Sequence, residues 1–245
     1  MQLFFDPDVT PGRHALRETE AIHAARVLRR REGDTIDLVD GRGGWYSGLI
    51  LDISKRHCTL DVQLVRREDQ RSSHALTLLV APPKNIDRFE WILEKATELG
   101  VDRIQPIFTE HSQRTRLRTD RLQRVIESAM KQSLKAWLPQ LPEPVSFVEA
   151  MQTKSPSRKY LAYLGEQGSR LLHQMILPGT NVEVAIGPEG GFSPAEADMA
   201  RDHGWTFASL GPHRLRTETA AIAAVHAVEM VNWQALSNPG GPQER

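Results

Sequence analysis

The sequence of 245 residues predicts an α/β protein, with a parallel sheet covered by helices and a small β-barrel before it. Residues 1–70 hold several short strand-like runs, which is typical of a small barrel. From residue 74 strands and helices alternate, which indicates a parallel sheet with helices on both faces. Two glycine loops, 187–191 and 210–216, each follow a strand and precede a helix, where such sheets bind ligands.

The N-terminal region begins with a short apolar strand, Leu3–Phe5, and a helical stretch, Glu18–Arg29. Asp40–Gly41 lies between two strand-like runs and is a hairpin signal. The predicted strands after the helix are Thr35–Val39, Trp45–Ile53 and His57–Val65. The single cysteine, Cys58, alternates with apolar residues in the last of these strands, so we interpret it as a buried thiol.

The C-terminal region follows a wholly polar segment, Arg66–Ser73, which we interpret as a linker. Its first strand, His74–Ala81, is almost entirely apolar. The next helix, Ile86–Leu99, has its apolar residues on one face and is ended by Gly100. The further predicted elements are strands Val101–Phe108, Tyr160–Leu164, Asn181–Ile186 and Thr206–Leu210 and helices Thr119–Lys135, Pro194–His203 and Thr217–Trp233.

The linker divides the chain into predicted domains of residues 1–70 and 74–236. The tail, 237–245, is rich in proline, glycine and polar residues, which predicts disorder. No apolar run is long enough to span a membrane, and the N-terminus lacks the pattern of a signal peptide. A lone cysteine excludes an internal disulfide and a thiolate cluster, so we expect a cytoplasmic protein without a metal site.

Charge is balanced, with 31 basic and 31 acidic residues, so contacts with nucleic acid have to come from local patches. Two basic segments qualify, Arg26–Arg31 and His111–Lys135. Taken alone, each is more typical of a solvated helix face or loop. The residues that we single out for nucleic-acid contacts are Arg26, Arg29, Arg30, Arg114, Arg116, Arg121 and Lys135.

The first glycine loop, Gly187–Gly191, precedes a helix that opens with a capping box, Ser193–Glu196. Glycines let the backbone approach a ligand closely, and a helix N-terminus favours anions. However, the loop lacks the lysine and Ser/Thr of a P-loop, and the carboxylate of Glu189 would repel a phosphate. We therefore favour a cofactor rich in hydrogen-bonding groups but without phosphates. A tight strand–helix connection without a ligand is the alternative.

The two glycine loops carry a resemblance to a known family. Ile186–Ser193, followed by Leu210–Ala220, resembles the signature pair of the RsmE family of ribosomal RNA methyltransferases. Other blocks similar to this family occur in order along most of the chain: Arg26–Arg29, Leu38–Gly41, Arg88–Val101 and Glu127–Ser133. Lys135 departs from the pattern, because many members have arginine there. Lysine offers a point charge where arginine offers a planar fork.

The resemblance implies a SPOUT-class enzyme that depends on S-adenosylmethionine and methylates N3 of a uridine in 16S ribosomal RNA, either naked or in the assembled small subunit. It implies an RNA-holding PUA-like barrel, a parallel-sheet domain with a C-terminal trefoil knot, and a homodimer. Periodicity gives no sign of a knot. By motif match, the implied cofactor-binding residues are Leu164, Gly165, Ile186, Gly187, Pro188, Gly190, Gly191, Leu210, Gly211, Leu215 and Thr217.

Methylation at uridine N3 requires loss of a proton that lies between two carbonyl groups. A site for it needs a proton acceptor and a positive group near the carbonyl oxygens. Arg216 is the predicted positive group, with a salt bridge to Glu189 or Glu218 as the alternative role. The two carboxylates are the catalytic candidates nearest the loops. Glu218 also suits the first turn of a helix, and Glu189 requires burial to act as a base.

Three other residues and two rival functions follow from the same sequence features. Thr217 alternatively caps the last helix. His111 is expected to face RNA, and His226 to be packed within its helix. The rival functions are a SPOUT ribose methyltransferase acting on transfer RNA and an RNA-binding or ribosome-assembly module without catalysis.

Overall fold

The computed structural model describes residues 2–163 and 170–237. Leu164 and Gly165 of the implied cofactor set lie outside the described residues, as does the predicted tail from residue 238 onward. The chain forms two compact units, which we call the first unit (Met1–Arg71 with Glu127–Leu138) and the second unit (Ser72–Ile126 with Pro139–Arg245).

The first unit contains a five-stranded sheet. Its strands are β1 (Leu3–Phe5), β2 (Gly12–Ala15), β3 (Thr35–Val39), β4 (Gly44–Ile53) and β5 (Cys58–Arg67). The order is β1-β3-β4-β5-β2, with β1 parallel to β3 and the other neighbours antiparallel. The hairpin predicted at Asp40–Gly41 is confirmed as the β3–β4 connection. The sequence did not predict β2, because its Gly-Arg-His-Ala run is mostly exposed and has no apolar alternation.

The helix predicted over Glu18–Arg29 is shorter and changes type. An α-helix, α1 (Glu18–Ile22), continues into a π-helical turn, His23–Val27. Arg29 has a left-handed backbone conformation with φ 52°. A residue in this conformation cannot continue a right-handed helix, so the helix ends within the basic segment Arg26–Arg31.

The core of the first unit contains the single cysteine. Cys58 is fully buried and packs in one cluster with Leu38 and Leu60. Burial raises the pKa of the Cys58 thiol to about 11, and the nearby carboxylate of Asp52 adds to the shift. The prediction of a buried strand thiol is confirmed, and this side chain stays protonated at neutral pH.

The segment Glu127–Leu138 belongs to the first unit although it follows part of the second along the chain. Met130 and Ala136 of this segment share a buried cluster with Leu3 and Phe5 of β1. The predicted division into domains 1–70 and 74–236 treats the units as consecutive, and it assigns Glu127–Leu138 to the second domain. That division stays a prediction.

The β3–β4 hairpin is built around a buried carboxylate. Asp40 accepts hydrogen bonds from the backbone N–H groups of Arg42 (2.7 Å) and Gly44 (2.9 Å) and from the Tyr46 hydroxyl (3.1 Å). Arg67 lies 3.3 Å from the same carboxylate. Burial raises the pKa of Asp40, but the hydrogen bonds and the Arg67 charge outweigh it, so that the pKa lies below its ordinary value.

Replacing Asp40 by alanine is expected to lower the free energy of unfolding by about 2–4 kcal/mol, because several buried donors lose their acceptor. The depressed pKa means that the ionised carboxylate stabilises the fold above about pH 4 and loses this effect as the pH falls through its folded-state value. The gap between wild type and Asp40→Ala should therefore shrink below about pH 4. Urea unfolding at neutral pH and about pH 3 measures it, and a gap independent of pH would contradict the assignment.

The second unit contains a six-stranded sheet. Its strands are β6 (Leu76–Val80), β7 (Arg103–Phe108), β8 (Val145–Ser146), β9 (Arg158–Ala162), β10 (Val182–Ile186) and β11 (Thr206–Ala208). The helices after β6 are α2 (Ile86–Leu99), α3 (Thr119–Gln132), α4 (Phe147–Gln152), α5 (Pro194–Asp202) and α6 (Thr217–Ser237). The sequence did not predict β8 and α4, and a 3₁₀ turn at Leu172–Gln174 is also new.

The sheet of the second unit is parallel throughout, in the order β11-β9-β10-β6-β7-β8. The predicted α/β class with a parallel sheet is therefore confirmed. Because the strands are parallel, their carboxyl ends lie at one edge, which we call the carboxyl edge. The loops after β6, β7, β9, β10 and β11 all leave the sheet there.

Candidate functional site

A cavity of about 370 Å³ opens at the carboxyl edge of the six-stranded sheet. Its walls come from the ends of β9, β10 and β11, from the loops that follow β10 and β11, and from the start of α6. This volume lies in the range of small-molecule sites, which favour the carboxyl edge of α/β sheets.

The first glycine loop connects β10 to α5. A Cβ on Gly187 would lie 3.2 Å from the carbonyl carbon of Gly191, so the loop closes too tightly for a side chain there. Gly191 has φ 73°, a left-handed conformation, and its N–H donates to the carbonyl of Pro188 at 2.8 Å. The glycines therefore form a tight turn at the cavity wall. That they admit the close approach of a ligand stays a prediction.

The second glycine loop connects β11 to α6. Gly211 has φ 132° and its N–H donates to the Ser209 hydroxyl at 3.2 Å. Thr217, the first residue of α6, is 4% exposed, and its hydroxyl donates to the carbonyl of Gly187 at 3.1 Å. This hydrogen bond joins the two glycine loops, a role that the sequence did not reveal.

The described members of the implied cofactor set all line this cavity: Ile186, Gly187, Pro188, Gly190, Gly191, Leu210, Gly211, Leu215 and Thr217. Sequence reasoning missed Tyr163, Phe192, His213 and Arg214, which line it as well. Three of these four lie inside the two loop motifs, so motif position was the available signal. Position in a motif alone does not predict which of its polar residues line the cavity.

The two arginines of the second loop differ in placement. Arg214 lines the cavity, and its Nη2 lies 3.5 Å from the carbonyl oxygen of Glu189. Arg216 is exposed and is absent from the cavity lining among the described residues. The structure thus adds Arg214 as a second positive group near the predicted one.

The two candidate carboxylates are engaged elsewhere. Glu218 Oε1 lies 3.6 Å from Arg88 Nε, and its side chain is 14% exposed. Glu189 is exposed, and its Oε1 accepts the backbone N–H of Lys84 at 3.1 Å. Within the described part of the chain, neither carboxylate pairs with Arg216, and Glu189 lacks the burial that a base role requires.

The loop after β7 packs directly on the first glycine loop. His111 Nδ1 donates to the carbonyl of Gly191 at 3.1 Å, and a Cβ on Gly190 would lie 3.0 Å from the His111 Cβ. The backbone N–H of Glu110 donates to the Glu196 carboxylate at 2.8 Å. His111 is exposed at this contact.

Arg114 extends the same contact toward the loop after β6. Its Nη2 donates to the carbonyl of Lys84 at 2.7 Å, while the N–H of Lys84 donates to Glu189. The loops after β6, β7 and β10 are therefore linked by hydrogen bonds beside the cavity, and they place basic side chains at its edge.

The other basic residues singled out from the sequence differ in availability. Arg116 is exposed, whereas Arg121 forms a salt bridge with the Glu90 carboxylate: its Nε lies 2.7 Å from Oε1, and its Nη2 donates to Oε2 at 3.0 Å. In the first unit, Arg26 and Arg29 are exposed, and Arg30 and Lys135 are half-buried.

His226 corrects a prediction. It is exposed on α6 and makes an edge contact with the Trp233 ring, with 5.9 Å between ring centroids. The alanine-rich surroundings suggested a packed histidine, but the position falls on the outer side of the helix.

Two family models match consecutive parts of the chain. The family model of the RNA methyltransferase domain matches residues 70–229, and that of the RNA methyltransferase PUA domain matches residues 16–63. The ribosomal RNA small subunit methyltransferase E of a Synechocystis species is 32% identical, over 83% of this chain and 69% of its own length. The chain belongs to the RsmE family of RNA methyltransferases.

Two solved structures resemble this RsmE-family chain over nearly its whole length. A probable rRNA methyltransferase from Porphyromonas gingivalis has a TM-score of 0.86 and 35% identity, covering 96% of this chain and 99% of that one. The ribosomal RNA small subunit methyltransferase E of Neisseria gonorrhoeae, solved with S-adenosyl methionine bound, has a TM-score of 0.83 and 25% identity, covering 95% and 98%. The family predicted from the sequence is confirmed.

The described residues of this RsmE-family chain offer neither a metal site nor a membrane span. They contain no group of three or more His, Cys, Asp or Glu side chains that could hold a metal ion. Nor do they form a helix both long and apolar enough to cross a bilayer.

Proposed function

We propose that this chain methylates N3 of a specific uridine in 16S ribosomal RNA, naked or in the assembled small subunit, with S-adenosylmethionine as the cofactor. The observation that supports this most strongly is the cavity between the two glycine loops, in a chain that belongs to the RsmE family. Curated relatives of this chain carry the name ribosomal RNA small subunit methyltransferase E.

The residues of the cavity fit this cofactor. The Gly187 cradle admits close approach of backbone groups, and apolar walls from Ile186, Phe192 and Leu210 suit the adenine ring and the methylene groups of the methionine part. The described lining holds one carboxylate, Glu189, and one guanidinium, Arg214, so it suits a cofactor that carries groups of both charges. When bound, S-adenosylmethionine supplies an activated methyl group on a sulfonium. The residues assigned to hold it are those of the two loops, with Leu164 and Gly165.

The chain's own contribution is to orient the uracil and stabilise the charge that develops on it. As N3 loses its proton, negative charge spreads to the carbonyl oxygens O2 and O4. Arg216 is exposed beside the cavity and unpaired with the nearby carboxylates among the described residues, so its guanidinium is free to meet a carbonyl of the base. A positive group there interacts more strongly with the base in the transition state than in the ground state, because the base then carries more negative charge.

The contacts of the two carboxylates indicate a structural role for both. Glu189 holds the N–H of Lys84, and Glu218 lies beside Arg88, so both connect loops or helices around the cavity. We keep them as the candidate proton acceptors, because they are the carboxylates nearest to the two glycine loops in the sequence. A role in proton transfer for either one requires a change of partner on RNA binding.

RNA is proposed to contact both units. In the second unit, Arg114 and Arg116 lie on the loop after β7, and Arg114 binds the carbonyl of Lys84. In the first unit, the contacts are assigned to Arg26, Arg29, Arg30 and Lys135. Phosphate contacts of this kind give affinity without reading sequence, and they release counterions.

Replacing Arg114, Arg116 and Arg121 together by alanine is expected to weaken RNA binding and flatten its salt dependence, while cofactor affinity stays unchanged. Each lost phosphate contact lowers the slope of log affinity against log salt by about 0.7–0.9. Arg121 should contribute least as a single variant, because Glu90 already neutralises it.

Filter binding at several salt concentrations measures these slopes. Arg158→Ala is the matched control, because Arg158 is exposed at the start of β9, at the opposite end of that strand from the cavity. If the triple variant keeps the wild-type slope, the loop after β7 is a solvated surface.

The finer architecture is also part of the proposal. We infer from the family that the five-stranded sheet closes into a PUA-like barrel, that the second unit contains a C-terminal trefoil knot, and that the protein acts in the cytoplasm as a homodimer.

Two measurements test the function. Calorimetry with S-adenosylhomocysteine should give binding with a micromolar Kd, and absence of binding would favour the RNA-binding module without catalysis. Mass spectrometry of ribosomal RNA from a deletion strain should show loss of one N3-methyluridine from 16S RNA. Loss of a ribose methyl group from transfer RNA instead would favour the other SPOUT activity.

A further inference from the structure

The chain contains two capping boxes with different surroundings. At the start of α4, a single carboxylate oxygen of Glu149 accepts both the N–H of Ser146 (2.9 Å) and its hydroxyl (2.8 Å), and Glu149 is exposed. At the start of α5, Glu196 is 8% exposed, and one oxygen accepts the N–H of Ser193 at 2.9 Å. Its second oxygen accepts the N–H of Glu110 at 2.8 Å.

The contact with Glu110 has no part in capping. A capping box needs the reciprocal bonds within its own turn, and the box of α4 forms with those alone. In α5 the carboxylate reaches outside the helix to the backbone of the loop after β7. Hydrogen bonds to an ionised carboxylate are roughly twice as strong as neutral ones, so this one is suited to fix the loop.

The position of that loop matters for the cavity. Immediately after Glu110, His111 packs on Gly190 and donates to the carbonyl of Gly191, both in the wall of the cavity. Arg114 follows and binds the carbonyl of Lys84. Glu196 therefore links the first glycine loop, through the start of α5, to the loop that carries His111 and Arg114.

We propose that Glu196 is a positioning residue, whose carboxylate holds the loop after β7 against the glycine loop and so places His111 and Arg114 for RNA. This inference rests on the proposed function, which assigns RNA contact to that loop. It assigns Glu196 no contact with RNA or cofactor.

Glutamine variants at the two capping boxes make a matched pair. An amide has one accepting oxygen, and its NH₂ group only donates. Glu149→Gln keeps both bonds of its cap, because one oxygen accepts them both. Glu196→Gln must lose one, because its two oxygens accept from different N–H groups.

The test compares Glu196→Gln with Glu149→Gln in three measurements. Amide hydrogen exchange in residues 109–118 should be faster by about tenfold in Glu196→Gln, the effect of losing one hydrogen bond. RNA affinity of the cofactor-free protein should fall about tenfold by the same reasoning. Affinity for S-adenosylhomocysteine should stay within about threefold of wild type. Glu149→Gln should match wild type in all three.

Equal exchange and equal RNA affinity in the two variants would overturn the proposal, as would a defect confined to S-adenosylhomocysteine affinity. Should Glu196→Gln fail to fold, Glu110→Pro removes the donor and leaves the capping box intact. Wild-type RNA affinity in Glu110→Pro would then refute the role. If the proposed function is wrong, wild type itself will not bind S-adenosylhomocysteine, and the difference in exchange still reports on the link.

Discussion

Alanine at Arg216 is expected to slow single-turnover methylation by a few hundredfold at saturating cofactor and RNA. Negative charge spreads to the uracil carbonyl oxygens as the N3 proton leaves. The interaction of a guanidinium with these oxygens is therefore strongest in the transition state. Losing such a donor costs about 3–4 kcal/mol by analogy with oxyanion-hole deletions. Arg216→Lys should recover little, because an ammonium group cannot reproduce the planar fork.

The matched variant for this experiment is Arg214→Ala. Arg214 lines the cavity and lies near the carbonyl of Glu189, so its loss should weaken cofactor binding more than it slows the methyl transfer step. A normal rate for Arg216→Ala, or a defect confined to cofactor affinity, would show that Arg216 only supports the loop. A larger loss of rate in Arg214→Ala would move the charge-stabilising role to that residue.

Valine at Gly191 is expected to abolish measurable binding of S-adenosylhomocysteine. Gly191 lines the cavity, and a Cβ there would meet no atom within 4 Å, so the new side chain would extend into open space at the wall. Its φ of 73° also strains a β-branched residue. Calorimetry measures the loss, and circular dichroism checks that the protein is folded.

Gly179→Val separates strain from filling of the cavity. Gly179 has φ 74° and an equally open Cβ position, but it lies in the loop before β10 and outside the cavity lining. This variant should suffer similar backbone strain and bind S-adenosylhomocysteine normally. Wild-type affinity in Gly191→Val would show that the first glycine loop does not hold the cofactor.

The sequence predicted those elements whose signals are local. α2 was found with its bounds, because Gly100 in a left-handed conformation ends it and its apolar residues repeat with helical spacing. The capping box at Ser193 was found for the same reason. In contrast, β2 is held by pairing with β5 rather than by its own pattern, and the return of Glu127–Leu138 to the first unit depends on packing far along the chain.

The candidate site divides in the same way. The first glycine loop was recognisable from the sequence, because the patterns of its strand, its turn and its helix cap all lie within a few residues of one another. The contact of Arg214 with Glu189, the bond from Thr217 to Gly187 and the bond from Glu110 to Glu196 join separate segments, so no local pattern predicts them. The partner of Glu218 was likewise unpredictable, since Arg88 comes from a helix early in the second unit.

The order of strands in the six-stranded sheet determines when each strand can pair during synthesis of the chain. β9 lies between β10 and β11, both of which follow it in the chain, and β10 must enter between β9 and β6. A nascent chain therefore carries the apolar run around Tyr160 without a sheet partner until β10 leaves the ribosome. Because α6 supplies the final wall of the cavity, the cavity is completed only after the start of α6 has been synthesised.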